Sequence, residues 1–178
     1  MNKHILSEIA MYYGNVKMPK GFEINRAEIK HQIIYNSFIK KNKLNSNDIK
    51  ITYTNDIIPL LTYIKDFFNL KFDVSLRPNK FWGNIYNTNE QSNNKNNVNR
   101  LDYQNSPDYT LIYGVDVYDK NASVTFQYDD NRRIGKSWTA PLKDNHFIMF
   151  PSILNYTINK NKHEEFNTYL TVTFDYRS

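Results

Sequence analysis

Hydrophobic positions recur every three or four residues in the first third of the chain and every second residue afterwards. In the first third, the apolar side chains of residues 5–13, 29–38 and 57–68 each fall on one face of a helix. This spacing predicts three helices. Their buried stripes are typical of helices that pack on a core, so no chemistry is assigned to them.

Residues that begin or end helices flank these three segments. Gly14 is a helix stop after the first segment. Asn25, with Glu28 three residues later, forms a capping pair before the second. Pro59 lies in the first turn of the third segment, where its missing N–H costs little. The sequence therefore predicts where each helix begins or ends.

After Asn69 the pattern alternates between apolar and polar residues at short, regular intervals, which is typical of a β-sandwich or barrel. In the last strand, the side chains of residues 170, 172 and 174 face one way and those of 169, 171 and 173 the other. The Asn-rich segment 88–100 is long for a connection and is either mobile or a binding loop. The predicted strands are "KFDVSLR", "FWGNIYN", "YTLIYGVDVY", "SVTFQYDD", "KSWTAPL", "HFIMF", "YTI" and "NTYLTVTFDY".

Helices followed by strands predict an α+β fold, with N-terminal helices packed on a C-terminal antiparallel β jelly roll. We expect residues 1–178 to form a single domain, with a mainly helical part at 1–69 and the jelly-roll part at 70–178. No internal repeat divides the chain.

Composition narrows the possible chemistry. The chain has no cysteine, which excludes disulfides, cysteine-bound zinc and thiol nucleophiles. No apolar run approaches the ~18 residues that span a bilayer, so we expect no membrane association. The net charge of +5 permits attraction to nucleic acid. Its densest clusters are Lys40, Lys41 and Lys43, and Arg132, Arg133 and Lys136.

Three segments resemble one family. "LIYGVDVYDKNASVTFQ", "FIMFPSILNYTI" and "TYLTVTFDY" are similar to strands of the double-stranded β-helix (jelly-roll) domain of 2-oxoglutarate- and Fe(II)-dependent oxygenases. The resemblance covers residues 110–176. Related segments also resemble uncharacterised proteins of T4-like marine bacteriophages. The resemblance implies a jelly-roll fold, and it implies Fe(II) and 2-oxoglutarate wherever the family's ligands are present.

Those ligands are absent from the positions that match the family. Two histidines and one carboxylate should hold the iron. The distal histidine position is Tyr156, a vestigial ligand position. The expected His-x-Asp region, residues 100–110, contains no histidine and offers only Asp102, Tyr103, Asn105 and Asp108. The last strand has no basic residue before Arg177 to bind the co-substrate, and it offers Asn167, Thr168, Tyr169 and Thr171.

Other residues could supply atypical metal ligands. Asp144 with His146, and His163 with Glu165, are the available pairs of imidazole and carboxylate. The chain order of the second pair is wrong for the family, and neither pair has a third partner in sequence. An oxygenase that uses Asp144, His146, His163 and Glu165 is therefore the alternative to a protein without catalytic residues.

The segment around "YDDNRR" is the first candidate for an interface. Charged and aromatic side chains lie together there, and arginine and aromatic residues are enriched at recognition surfaces. A salt-bridged hairpin is the plainer interpretation. The candidate interface residues are Tyr128, Asp129, Asp130, Arg132, Arg133 and Trp138.

The sequence as a whole favours a non-catalytic jelly-roll protein with a degenerate active site and no cofactor. We expect a bacteriophage virion structural protein or assembly component. It would act through protein–protein contacts, including contacts in a homo-oligomer, and lie in the host cytoplasm or the virion. The alternatives are an Fe(II)/2-oxoglutarate-dependent oxygenase with atypical metal ligands and a nucleic-acid-binding protein.

Overall fold

The computed structural model describes residues 9–39, 48–52, 54–99, 101–131 and 134–177, with the backbone alone at 129–131, 134 and 177. It contains two helices, α1 (Arg26–Ile39) and α2 (Ile58–Phe72). The strands are β1 (Tyr12–Asn15), β2 (Ile49–Lys50), β3 (Ser75–Tyr86), β4 (Tyr109–Asp116), β5 (Ser123–Asn131), β6 (Ile134–Pro141), β7 (His146–Pro151), β8 (Asn155–Ile158) and β9 (Asn167–Arg177).

The strands form two sheets. The larger sheet has the order β1-β7-β4-β9-β3-β2, and the smaller sheet has the order β6-β5-β8. The pairs are antiparallel. From β4 onwards the chain crosses from the larger sheet to the hairpin of β5 and β6 in the smaller sheet, returns to β7, crosses again to β8 and ends in β9, which gives a jelly roll. This arrangement confirms the predicted α+β fold with helices on an antiparallel jelly roll.

Two hydrophobic cores lie on opposite faces of the larger sheet. The outer core packs against α1 and α2 and includes Leu170, Val172 and Phe174 of β9. The inner core lies between the sheets and includes Tyr156 and Tyr169. The alternation of β9 is therefore confirmed, because its odd and even positions enter different cores. Neither helix in the described parts of the chain is long and apolar enough to cross a bilayer.

Helix α1 begins where its capping pair predicts. The backbone N–H of Glu28 donates to Asn25 Oδ1 at 3.3 Å. Ile29 and Ile33 are fully buried against the larger sheet. Gly83 of β3 lies directly beneath Ile33, so close that a Cβ on Gly83 would lie 2.5 Å from Ile33 Cγ1. A glycine at this position lets the helix approach the sheet.

Helix α2 starts one residue before Pro59 and ends at Asp73, whose backbone is left-handed with φ of 54°. The predicted start and buried stripe are confirmed. The predicted strand "KFDVSLR" begins too early, because residues 71 and 72 complete the last turn of α2. The two strands predicted on either side of Asn79 are one strand, β3, with a register shift between Pro78 and Phe81.

The predicted first helix is wrong at the residues that the structure describes. Tyr12–Asn15 form β1, an edge strand of the larger sheet that pairs with β7. Tyr12 packs on Phe68 of α2, with 4.8 Å between ring centroids. Tyr13 faces the other way and contacts Trp138 at 5.5 Å. Tertiary pairing thus overrides the local helical spacing; residues 1–8 lie outside the described chain.

Candidate functional site

The polar side chains between the two sheets converge at one end of the jelly roll. Asp48, just before β2, accepts a hydrogen bond from Asn84 Nδ2 at 3.0 Å. Asn84 Oδ1 in turn accepts from Thr171 Oγ1 of β9 at 3.2 Å. Lys95 Nζ pairs with the same Asp48 oxygen at 2.6 Å. This chain of contacts links β2, β3, β9 and the Asn-rich segment.

A second group of hydrogen bonds surrounds the expected distal ligand position. Asn97 Nδ2 donates to Thr110 Oγ1 at 2.9 Å and approaches the Tyr156 hydroxyl oxygen at 3.4 Å. The hydroxyls of Thr110 and Ser152 are 2.8 Å apart. Thr110 and Ser152 are fully buried. The interior at this point is therefore a closed set of neutral amide and hydroxyl groups.

The Asn-rich segment reaches this interior because it pairs with β8. The backbone N–H groups of Lys95 and Tyr156 each donate to the other residue's carbonyl oxygen at 2.8 Å. Ser92 and Asn97 make further backbone bonds, to Ile158 and Ser152. Residues 92–97 therefore follow the free edge of β8.

Tyr156 lies inside the jelly roll, as the resemblance implies for the ligand position. Its side chain is 1% exposed and meets Phe150 edge to face at 5.1 Å. Burial raises the pKa of Tyr156 to about 12, because the phenolate would lose its hydration inside the protein. Tyr86 and Tyr169 share this interior, 5.8 Å apart, and burial raises their pKa values further.

These residues do not fit a family-type iron centre. A facial triad requires two imidazoles and one carboxylate around one point. The groups around Tyr156 are a phenol, an amide and two hydroxyls. Within the described parts of the chain, no three His, Asp or Glu side chains come together to hold a metal ion. We therefore derive no chemical step through iron or 2-oxoglutarate.

The polar candidates in the region expected to carry the first two ligands, Asp102, Tyr103, Asn105 and Asp108, lie at or near the surface. Asp102 caps a 3₁₀ turn at Tyr103–Asn105 by accepting from the Asn105 backbone N–H. Asp108 is exposed and accepts from the backbone N–H of Tyr176 at 2.6 Å. The inward-facing residue is instead Asn97. The family pattern pointed to 100–110, and the sequence carried no signal for a strand-like segment at 92–97.

The alternative metal ligands form two separate pairs, and the residues of each pair are bound to other groups of the protein. Asp144 pairs with Arg26 of α1 and also accepts from the Val117 backbone N–H. His146 Nδ1 lies 2.9 Å from the Asp144 carbonyl oxygen. This pair sits where α1 meets the larger sheet.

The second pair lies in the loop before β9. The His163 ring stacks on Tyr118 at 5.6 Å, and His163 Nδ1 accepts from the Glu165 backbone N–H at 3.0 Å. The two pairs do not form one group of three ligands in the described chain.

The candidate interface on β5 and β6 is described only in part. Tyr128 and Trp138 are exposed. The Trp138 ring stacks beside Phe126 at 6.4 Å, and Tyr13 of β1 joins it from the larger sheet. The sequence did not point to Tyr13, because β1 was predicted as a helix.

Most of the charged candidate residues lie outside the residues or side chains that the structure describes. Lys136 is exposed. The backbone places Asp129 and Asp130 on β5, but their side chains are outside the described residues. Nucleic-acid binding stays a prediction. The other basic and interface candidates, Lys40, Lys41, Lys43, Arg132 and Arg133, also fall outside the described residues.

Comparison with solved structures identifies the fold. AviO1 from Streptomyces viridochromogenes superposes with a TM-score of 0.66 and 10% identity, over 94% of this chain and 90% of that one. The viral collagen prolyl hydroxylase of Paramecium bursaria Chlorella virus-1, solved with 2-oxoglutarate, gives 0.63 and 12% identity over 92% and 95%. HygX from Streptomyces hygroscopicus, solved with nickel and 2-oxoglutarate, gives 0.66 and 6% identity over 94% and 83%.

Sequence comparison adds no relative. No family model matches the chain, and no curated protein sequence matches it. At 6–12% identity, the structural likeness shows the fold alone. The chain has the double-stranded β-helix fold of the 2-oxoglutarate- and Fe(II)-dependent oxygenases.

Proposed function

We propose that this protein is a non-catalytic jelly-roll protein that acts through protein–protein contacts, as a virion or assembly component of a bacteriophage. The observation that carries the non-catalytic part is the hydrogen-bonded interior around Tyr156. Asn97, Thr110 and Ser152 satisfy one another there, where the family resemblance calls for metal ligands.

The chemistry of these groups argues against an iron centre. A phenol is protonated at neutral pH and is then a poor ligand for Fe(II), and burial raises the pKa of Tyr156 further. A neutral amide such as that of Asn97 adds no charge to offset that of Fe(II). Tyr169, also buried, stands in the strand where an arginine would bind the co-substrate carboxylate.

The exposed aromatic residues at one side of the sandwich support a role in contacts. Tyr13, Tyr128 and Trp138 lie on β1, β5 and β6, and β1 and β6 are edge strands of the two sheets. Tyrosine and tryptophan are enriched in the energetic centres of protein interfaces. The partner is another assembly protein or a second copy of this chain. The phage assignment rests on the sequence resemblance alone.

Metal loading and turnover test the non-catalytic proposal. The purified protein is incubated anaerobically with Fe(II) and then assayed for bound iron and for 2-oxoglutarate consumption in air. We expect less than 0.1 iron per chain and no consumption above a heat-denatured control. Stoichiometric iron together with consumption would overturn the proposal. Mass spectrometry of purified phage particles tests the virion assignment, which fails if the chain is absent from them.

The second candidate is an oxygenase with atypical ligands. The fold neighbours favour it, since structures solved with 2-oxoglutarate superpose over most of the chain. It requires Asp144 with His146, or His163 with Glu165, to hold the metal. If iron binds, the variants His146→Ala and His163→Ala identify the pair, and His31→Ala on the exposed face of α1 is the matched control. Equal iron binding by all three variants would exclude both pairs.

A further inference from the structure

A cleft opens beside the filled interior, at the edge of the larger sheet formed by β2 and β3. Its volume is about 570 Å³, which is large enough for a small organic molecule. Its lining includes the polar and charged residues Asp48, Lys50, Asn79, Lys80 and Asn97 and the aromatic residues Phe81 and Trp82. We call it the Trp82 cleft.

Two lysines line the cleft together with Trp82. Lys50 is directly opposite Trp82 in the β2–β3 pair. Lys80 precedes Trp82 by two residues on β3. Cross-strand neighbours and residues two apart on a strand have Cα atoms within about 7 Å. Lys50, Lys80 and Trp82 all line the cleft, so the three side chains border the same space.

The lysine charges are not balanced within the cleft. The carboxylate of Asp48 is matched by Lys95. The nearby carboxylate of Asp175 is bound by the Asn79 amide, at 3.0 and 3.2 Å.

Lys50 and Lys80 have no ion-pair partner among the residues that the structure describes. The indole Nε1 of Trp82 is buried and also lacks an acceptor in that part of the chain. The cleft thus presents two ammonium groups that no described carboxylate pairs with.

From this arrangement we infer that the Trp82 cleft is a metal-independent binding site for a small planar organic anion, an aromatic carboxylate or a phosphate monoester. The anionic group lies between the ammonium groups of Lys50 and Lys80. The planar part lies on the indole, where stacking and apolar burial add affinity. Carboxylate and phosphate share the required charge, and separate probes distinguish them.

Intrinsic fluorescence gives a direct measurement, because the chain has only two tryptophans. The variant Trp138→Phe leaves Trp82 as the sole reporter. It is titrated with benzoate, phenyl phosphate and the neutral analogue benzyl alcohol, with EDTA present throughout. We expect a saturable change with one or both anions below 10 mM, at least tenfold tighter than with benzyl alcohol. Isothermal titration calorimetry repeats each titration, so that a silent fluorophore does not hide binding.

Charge variants test the assignment to this cleft. In the Trp138→Phe background, Lys50→Gln and Lys80→Gln are each expected to weaken anion binding by 3- to 10-fold. Lys65→Gln on α2, outside the cleft, is the matched control and leaves the affinity unchanged. The inference would be overturned by equal affinity for benzyl alcohol and the anions, by unchanged affinity in both cleft variants, or by the absence of binding in both methods.

This inference is independent of the proposed function. The cleft could bind an anion whether or not the protein assembles with partners, and the titrations measure neither iron nor turnover. If the titrations show no binding, the non-catalytic proposal still stands. If the protein proves to be an active oxygenase, the titrations still decide whether the cleft binds an anion.

Discussion

At the scale of single residues, Gly83 is a position where the packing of α1 on the sheet leaves no room for a side chain. A Cβ there would meet three side-chain carbons of Ile33 within 3 Å, and Ile33 is fully buried and branched at Cβ. We expect Gly83→Ala to lower the free energy of unfolding by about 1–3 kcal/mol, because α1 must move off the sheet. Urea denaturation measures the change. Gly14→Ala is the control, since nothing lies within 4 Å of its added Cβ; equal losses in both variants would contradict the prediction.

A second prediction at this scale concerns Tyr156 and pH. The pKa of its phenol is about 12 in the folded protein and about 10 in the unfolded chain, because burial penalises the phenolate. Between pH 10 and 12 the unfolded chain releases a proton that the folded protein keeps. Stability therefore falls with rising pH in this window, by about 1.4 kcal/mol per pH unit from this residue.

Denaturation curves at several pH values between 9 and 12 measure this effect. The variant Tyr156→Phe lacks the titrating group but keeps the ring. Its free energy of unfolding is expected to fall less steeply with pH than that of the natural chain. The difference in slope corresponds to one fewer proton released on unfolding. Identical slopes for the two proteins would show that the Tyr156 phenol does not titrate differently on folding.

At the scale of elements, the Asn-rich segment is a structural part of the smaller sheet. Ser92 Oγ accepts from the buried backbone N–H of Ile158 at 2.7 Å. We expect Ser92→Ala to cost about 1–3 kcal/mol, because it leaves this N–H without a partner. Hydrogen exchange at Ile158 should accelerate in step with the loss of stability. Asn93→Ala, at an exposed neighbouring position, is the control and is expected to change neither quantity appreciably.

The elements differ in how well the sequence predicts them. Both described helices carry local signals, such as the Asn25 cap and Pro59, and both were predicted. The strand β1 was missed because its hydrogen bonds go to β7, about 130 residues away in the chain. The spacing of nearby residues carries no information about such a distant partner. Tyr12 and Tyr13 pack on α2 and on the smaller sheet, respectively, but in the sequence they are equally compatible with a helix.

The site was predicted in part for the same reason. The position of Tyr156 inside the jelly roll follows from the alternation of a short strand and from the family resemblance. The contacts of Asp48 with Lys95 and of Asn97 with Tyr156 join residues 47 and 59 positions apart. No regular spacing in the sequence relates residues so far apart. The contacts of residues 92–97 with the interior therefore could not be predicted from the sequence.

At the scale of the whole molecule, the fold and the site lead to different conclusions. The superposition with oxygenases covers over nine-tenths of this chain, yet the interior offers phenols and amides. A fold hosts many functions, and the activity depends on the side chains placed in it. Our proposals for this protein therefore rest on the interior around Tyr156 and on the Trp82 cleft rather than on the likeness of the backbone.

The position of β9 in the larger sheet has a consequence for how the protein is made. β9 lies between β4 and β3, although it is the last strand described along the chain. Tyr86 at the end of β3 pairs with Asn167, roughly 80 residues later. At a synthesis rate of about 5–20 residues per second, β3 waits roughly 4–16 s for its neighbour. During that time the nascent chain exposes the apolar faces and backbone groups of β3 and β4, which makes it a substrate for chaperones on the ribosome.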